Sequence, residues 1–200
     1  MSDNEIREPI QKRSIEKKEK IIKSGFELIC EKGYYNTNTA EIAKKAGVST
    51  GIVYQYFKDK HDIFIAGLEK YGDTIFYPIP DINKNDFKEK NFSEILKHII
   101  QTFISDHKLS ESAHEEITAM VHSDKNVAYF FYKREMEMTI QFSNILKESG
   151  IKSSNLLEKV HIIIGMIDNL CHEVVYHKHK DLNYDIMIDL VVDNIIKFLE

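Results

Sequence analysis

The chain has 200 residues, of which 42% are hydrophobic and 30% are charged, and this composition excludes an intrinsically disordered chain. No stretch approaches the ~18 consecutive apolar residues of a membrane-spanning helix, and the polar N-terminus lacks the apolar core of a signal peptide. Cys30 and Cys171 are too few for a disulfide framework or a zinc-finger set. The sequence therefore predicts a cytoplasmic protein with no membrane partner, no metal and no cofactor.

The net charge of −5 is distributed unevenly along the chain. Residues 1–60 carry 12 Lys and Arg against 9 Asp and Glu, whereas residues 61–200 carry 15 against 23. A basic N-terminal part on an acidic remainder is typical of a protein whose one end meets phosphate. The asymmetry is small, so it does not by itself establish binding to nucleic acid, and the sequence motifs are needed as evidence.

Hydrophobic residues recur at intervals of three and four along most of the chain, which predicts amphipathic helices. Ser14, Asn38 and Asp59 are candidate N-caps, and Gly33 and Gly47 are candidate residues just beyond helix C-termini. Few glycines and prolines argue against an all-β fold. The sequence predicts an all-α fold with about nine helices, at residues 14–32, 39–46, 50–57, 61–77, 92–107, 111–122, 125–148, 154–178 and 183–199.

The segment Gly33–Lys60 has the pattern of a helix-turn-helix. Two steeply crossing helices need a small residue at their contact, a left-handed residue in the turn and an apolar residue that seals the angle. Ala43, Gly47 and Val53 meet these needs in turn. Ser49 is the candidate N-cap of the second helix.

The outward face of that second helix suits a DNA groove. At ~100° per residue, Val53 and Phe57 point to the core, whereas Gly51 and Gln55 point away from it. A glutamine can make two hydrogen bonds to a base edge, and a glycine lets the backbone come close. The alternative is that the tyrosines only pack the small domain and that Gln55 is ordinary surface.

Residues 14–71 closely resemble the N-terminal DNA-binding domain of the TetR/AcrR family of transcriptional regulators. The resemblance is carried by F-E-L-I-C-E-K-G-Y at the end of the first helix and by T-N-T-A-E-I-A-K-K-A-G-V-S-T-G-I-V-Y-Q-Y-F-K-D-K after it. It implies an all-helical homodimer whose two recognition helices enter successive major grooves of a palindromic operator. It also implies a ligand-responsive regulator, expected to be a repressor released from double-stranded DNA by a small-molecule effector.

The resemblance further assigns roles to individual residues. The expected base readers are Thr50, Gly51, Ile52 and Gln55. The expected phosphate contacts are Thr37, Asn38, Tyr54, Tyr56 and Lys60. At Asn38 and Thr39 this chain departs from the family, which more often has Ser or Thr followed by an apolar residue, but asparagine is also a good cap.

The C-terminal region resembles the family only loosely, so its sites rest on residue type and placement. Aromatic and methionine side chains suit an apolar or amphipathic ligand. The candidate pocket residues are Phe92, Phe103, Met120, Phe130, Met138, Phe142 and Met166. The candidate dimer interface, on the last two helices, consists of Met166, Leu170, Val174, Ile188, Val192 and Ile195. The alternative in each case is an ordinary core residue.

These predictions divide the chain into four parts. We expect a flexible tail at 1–13, a helix-turn-helix DNA-binding domain at 14–60, a connecting helix at 61–77, and an effector-binding and dimerisation domain at 78–200. Pro78 and Pro80 mark the last boundary.

Two other functions compete with a regulator. One is a helical small-molecule-binding dimer without specific DNA function. The other is a di-metal helical-bundle enzyme, since Glu111 and His114, and Glu158 and His161, form two Glu-x-x-His pairs. Charge-rich helices produce such pairs by chance, so we expect no catalytic residues and no metal site.

Overall fold

The computed structural model describes residue 9 and residues 11–76, 91–106 and 109–200. All the regular structure in these residues is α-helical, which confirms the predicted fold class. The helices are α1 (Lys12–Lys32), α2 (Thr39–Ala46), α3 (Thr50–Tyr56), α4 (Lys60–Phe76), α5 (Phe92–Asp106), α6 (Glu111–Ser123), α7 (Lys125–Glu148), α8 (Leu156–Tyr176) and α9 (Tyr184–Leu199). No described helix is both long and apolar enough to span a bilayer. Most of the predicted tail (1–13) and connector (78–90) lies outside the described residues.

The chain forms two compact units. The first contains α1 to α4, α6 and the start of α7, and the second contains α5, the rest of α7, α8 and α9. Residues 108–130 thus belong with the N-terminal helices, although the sequence analysis placed all of 78–200 in one effector-binding domain. The reason is a set of long-range contacts made by α6, which local sequence patterns do not encode.

Glycines and polar caps determine where the N-terminal helices end. Asn38 caps α2 as predicted, because its Oδ1 accepts the amide of Glu41 at 3.0 Å. Gly47 ends α2 in the left-handed conformation, with φ of 69°. Ser14 is not the N-cap of α1: the helix begins at Lys12, and the carbonyl of Gln11 accepts the Ser14 amide.

The core of the first unit is formed where α1 packs against α4 and α2. Ile21, Ile42, Val53 and Ile63 are all buried there. A Cβ atom at Gly67 would lie 2.7 Å from the ring of Phe26, so the close approach of α1 and α4 requires glycine at that position.

The second unit has its own core, formed where α5, α8 and α9 pack together. Four of the predicted dimer-interface residues belong to this core: Leu170, Val174, Val192 and Ile195 are at most 8% exposed. They close the subunit's own interior, so the structure of the single chain does not support their assignment to the interface. Met166 and Ile188 are half-buried.

Candidate DNA-binding surface

The turn between α2 and α3 has the geometry of a helix-turn-helix. The amide of Val48 donates to the carbonyl of Ala43 at 3.0 Å, and Gly47 supplies the left-handed residue. Ala43 and Val53 are buried at the contact of the two helices, with 3% and 1% exposure. The three residues that predicted the motif therefore occupy the positions that the motif requires.

The outer face of α3 is exposed and uncharged. Thr50, Gly51, Tyr54 and Gln55 are exposed, and Ile52 is half-buried. The nearest atom that a Cβ at Gly51 would meet is Oγ of Ser49 at 3.9 Å, so solvent, not protein, lies over this glycine. No carboxylate occurs within α3, so nothing on the helix itself repels a phosphate backbone.

The structure removes Thr37 and Tyr56 from the predicted phosphate contacts. Thr37 is 2% exposed, and its hydroxyl donates to the carbonyl of Gly33 at 2.9 Å. Tyr56 is 7% exposed and belongs to the hydrophobic core of the first unit. The structure does not support either contact, because both side chains satisfy the protein interior, and such a hydroxyl-bearing side chain has the same sequence signature as one that meets DNA.

Lys60 is also not placed as predicted. Its ammonium donates to the carbonyls of Tyr34 at 2.5 Å and Thr37 at 2.8 Å, and lies 4.1 Å from the centroid of the Tyr34 ring. Partial burial lowers its pKa from the usual 10.5. Lys60 therefore holds the loop of residues 33–38 between α1 and α2, here called the α1–α2 loop.

Glu116 of α6 holds the same loop from its other side. Oε2 of Glu116 accepts the amide of Tyr35 at 2.8 Å. A Cβ at Gly33 would lie 2.6 Å from this carboxylate, and Gly33 has a φ of 90°, so two constraints favour glycine there. The neighbouring amide of Ser110 donates to the carbonyl of Cys30 at 3.1 Å. Glu116 is not recognisable as a site residue from the sequence, because no local pattern relates residue 116 to residue 35.

Removal of the Lys60 ammonium should loosen this loop. We expect Lys60→Ala to lower the free energy of unfolding by ~1–3 kcal/mol, because two carbonyls lose a charged donor. Lys58→Ala is the matched control, since this exposed lysine should change stability by less than ~0.5 kcal/mol. Urea denaturation of the three proteins measures the difference. Equal stability of the two variants would contradict the role given to Lys60.

A second polar contact joins α4 to the junction of α6 and α7. Nε2 of His61 lies 2.7 Å from Oδ2 of Asp124. Oδ1 of Asp124 accepts the amides of Asn126 and Val127, so this carboxylate caps α7. Burial raises the pKa of Asp124, but the amides and His61 outweigh burial, so its pKa lies below the usual 3.8.

The lowered pKa of Asp124 predicts a pH dependence of stability. Because the carboxylate is favoured in the folded state, its contribution is complete above pH 3.8 and is lost as the pH falls through the folded-state pKa. We expect Asp124→Ala to destabilise the protein by ~1 kcal/mol near neutral pH, a gap that narrows at lower pH. Chemical denaturation from neutral pH to below pH 3.8 measures the difference in stability between the parent and the variant. Asp181→Ala, in an exposed turn, is the control. A gap that is constant down to the lowest pH would contradict the ionic part of this cap.

The second unit contains a cavity of about 740 Å³, counting the part that opens to solvent. Four predicted pocket residues line it: Phe92, Phe103, Met138 and Phe142. Three do not. Met120 is buried in the first unit, Phe130 packs against Gly72 of the first unit, and Met166 is not part of the lining. Apart from Asp168, every residue that lines the cavity in the described chain is apolar.

The two Glu-x-x-His pairs lie in different units of the chain, and the two cysteines are buried. The pair Glu111 and His114 lies in the first unit, whereas Glu158 and His161 lie in the second. Cys30 and Cys171 are both buried, and burial raises the pKa of each thiol to about 12. These thiols are therefore protonated and are poor metal ligands.

Residues 21–66 match the model of the tetR family of bacterial regulatory proteins. Over 65 residues the chain is 45% identical to the HTH-type transcriptional regulator HbdR of Aromatoleum sp. (strain CIB), a match that covers 32% of this chain and 28% of that protein. Over 92 residues it is 41% identical to the fatty acid metabolism regulator protein of Bacillus subtilis, covering 45% and 47%. The chain thus spans about a quarter to a half of these curated relatives' length.

Likeness to solved structures extends over almost the whole chain. A transcriptional regulator from Rhodococcus sp. Rha1 superposes with a TM-score of 0.66, covering 90% of this chain and 96% of that one, at 15% sequence identity. At this identity the likeness shows the shared fold alone.

The turn, the capped α2 and the exposed α3 define a helix-turn-helix protein of the class that binds DNA. The family model matches over that motif, so residues 21–66 form a DNA-binding domain of the type found in the tetR family of bacterial regulatory proteins.

Proposed function

We propose that this protein is a sequence-specific DNA-binding transcriptional regulator, a repressor released from a palindromic operator by a small molecule. The observation that carries the proposal is the outer face of α3, where Thr50, Gly51 and Gln55 are exposed and no carboxylate is present. Such a helix fits the major groove with its polar side chains against base edges. A DNA-bound regulator acts in the bacterial cytoplasm, which is the location that we propose.

The proposed contacts follow from exposure. Base edges are read by Thr50, Gly51, Ile52 and Gln55, as the sequence analysis predicted. Of the predicted phosphate contacts, Asn38 and Tyr54 are exposed and are retained. To these we add the exposed Tyr35 beside the start of α2 and the exposed Lys58 after α3. A hydroxyl or an ammonium at these positions is suited to phosphate oxygens.

The test is fluorescence anisotropy with the duplex upstream of the protein's own reading frame, with scrambled duplex as control. We expect a preference for the native duplex that persists as salt is raised, because base contacts do not depend on counterion release. Lys58→Ala should weaken binding to both duplexes and reduce the salt slope by about one. Binding to both duplexes that disappears alike with salt would contradict specific recognition at this duplex.

The proposed regulator is a homodimer, and exposed apolar side chains on α8 and α9 form its interface. Ile162 on α8 is 50% exposed, and Ile186 and Leu190 on α9 are 56% and 55% exposed. A Cβ at Gly165 would meet no atom within 4 Å, so a partner helix could approach α8 closely there. These residues replace Leu170, Val174, Val192 and Ile195 as interface candidates. Two such subunits related by a two-fold axis match a palindromic site.

The cavity in the second unit is the proposed effector site. Its lining contains no cation, so the carboxylate of an anionic effector would have no partner in the cavity and would be costly to desolvate. The effector we propose has an uncharged apolar part that fills the cavity. By thermodynamic reciprocity, an effector that weakens operator binding is itself bound more weakly by the operator complex.

Paired probes of equal chain length test this effector class. We expect dodecanol to displace a neutral fluorescent probe such as N-phenylnaphthylamine at a lower concentration than dodecanoate does. Leu146→Trp, which fills the cavity from its wall, should reduce probe binding. Tighter binding of dodecanoate than of dodecanol would contradict the proposed class.

A further inference from the structure

The α1–α2 loop is held by two side chains from outside the helix-turn-helix motif. Lys60 donates to two loop carbonyls, and Glu116 accepts the backbone amide of Tyr35. The loop ends at Asn38, which caps α2 through the amide of Glu41. The position of the first helix of the motif therefore depends on a backbone amide that is tied to α6.

The contact between Glu116 and Tyr35 is made by a carboxylate acceptor at 2.8 Å and adjoins Gly33, whose φ of 90° is strained for any other residue. The adjacent Ser112 hydroxyl lies 3.4 Å from the other oxygen of Glu116. Hydrogen bonds to a charged acceptor are stronger than those between neutral groups. The loop is thus fixed by residue 116, which lies 81 positions from its partner in the sequence.

We infer that Glu116 is a positioning residue for DNA binding. Glu116 is not one of the proposed DNA contacts, but it holds the Tyr35 amide and so fixes the start of α2, where the proposed phosphate contacts Asn38 and Tyr35 lie. A phosphate contact contributes only when its donor is already in place, because ordering the loop at the moment of binding reduces affinity. The inference rests on the proposed DNA-binding function.

Two variants of Glu116 separate positioning from charge. Glu116→Gln keeps an oxygen that can accept the Tyr35 amide, whereas Glu116→Ala removes the acceptor. We expect Glu116→Ala to weaken operator binding about tenfold and Glu116→Gln to stay within about threefold of the parent. The matched control is Glu115→Ala, which removes the same charge from an adjacent residue with a more exposed side chain, 58% of it accessible to solvent.

A second readout follows the loop itself and needs no DNA. Hydrogen exchange at the Tyr35 amide, followed by NMR in the full-length protein, should be at least about tenfold faster in Glu116→Ala than in the parent or in Glu115→Ala. If the parent binds no duplex specifically, the proposed function fails, and the exchange rate still tests the contact.

Three results would overturn the inference. The first is an unchanged exchange rate at Tyr35 in Glu116→Ala. The second is faster exchange with unchanged operator affinity, which would show that the loop does not position α2 for binding. The third is an equal loss of affinity in Glu115→Ala, which would assign the effect to net charge.

Discussion

Ile162→Lys is expected to convert the proposed dimer to a monomer and to weaken operator binding at least about a hundredfold. A dimer engages the second half-site as an intramolecular event, and a monomer loses that advantage. The physical reason for dissociation is that a lysine within the proposed apolar interface would be buried without a partner. Ile162 is 50% exposed in the subunit, so the folded monomer itself tolerates the lysine.

Ile140→Lys is the matched control, because Ile140 is 48% exposed and also lies in the second unit, but on α7. Sedimentation gives the mass of each variant, and anisotropy gives its operator affinity. We expect Ile140→Lys to remain a dimer with the parent's affinity. If Ile162→Lys remains dimeric, or if Ile140→Lys dissociates, the interface lies elsewhere on the surface.

Gln55→Ala is expected to reduce binding to the specific duplex by ~1–3 kcal/mol and to leave binding to scrambled duplex unchanged. The amide of Gln55 can make two hydrogen bonds to one adenine edge, and alanine can make none. Gln55 is exposed and lies on the uncharged outer face of α3, so its loss should not alter folding.

Tyr54→Phe is the comparison, since it removes one hydroxyl proposed to meet a phosphate. Tyr54→Phe should weaken binding to the specific and the scrambled duplex by the same factor. Competition titrations with both duplexes at one salt concentration separate the two behaviours. If Gln55→Ala weakens binding to both duplexes equally, Gln55 does not read a base.

The local parts of the fold were predictable from the sequence because their causes are local. The left-handed Gly47, the cap at Asn38 and the small Ala43 each have a specific residue requirement that is visible within a few positions. The structure agrees at all three. Ser14 failed as a cap because Gln11 was already extended and its carbonyl could begin the helix earlier.

The roles of single side chains at the site were less predictable. Thr37, Tyr56 and Lys60 carry the polar groups that meet phosphate in DNA-binding proteins, but here they satisfy carbonyls or pack the core. Residue type gives the capacity to form a hydrogen bond, and only the fold gives the partner. In the same way, Glu116 could not be found from sequence, because its partner Tyr35 is 81 residues away.

The interface and the pocket were difficult to predict from the sequence for a different reason. α8 and α9 each carry more apolar residues than one face can hold, and the periodicity does not say which of them the subunit's own core takes. The structure places Val192 and Ile195 inside and leaves Ile186 and Leu190 outside. Met120 and Phe130 were assigned to the pocket because residues 108–130 could not be recognised as part of the first unit.

Selection of bound DNA from a random duplex pool tests the central claim most directly, because it does not depend on knowing the operator. We expect enrichment of an inverted repeat with half-site centres about one helical turn, or a multiple of it, apart. We also expect Gln55→Ala to select a motif in which one base position of each half-site is no longer specified. Recovery of folded protein with no enriched sequence would contradict the assignment of α3 as a reader of DNA.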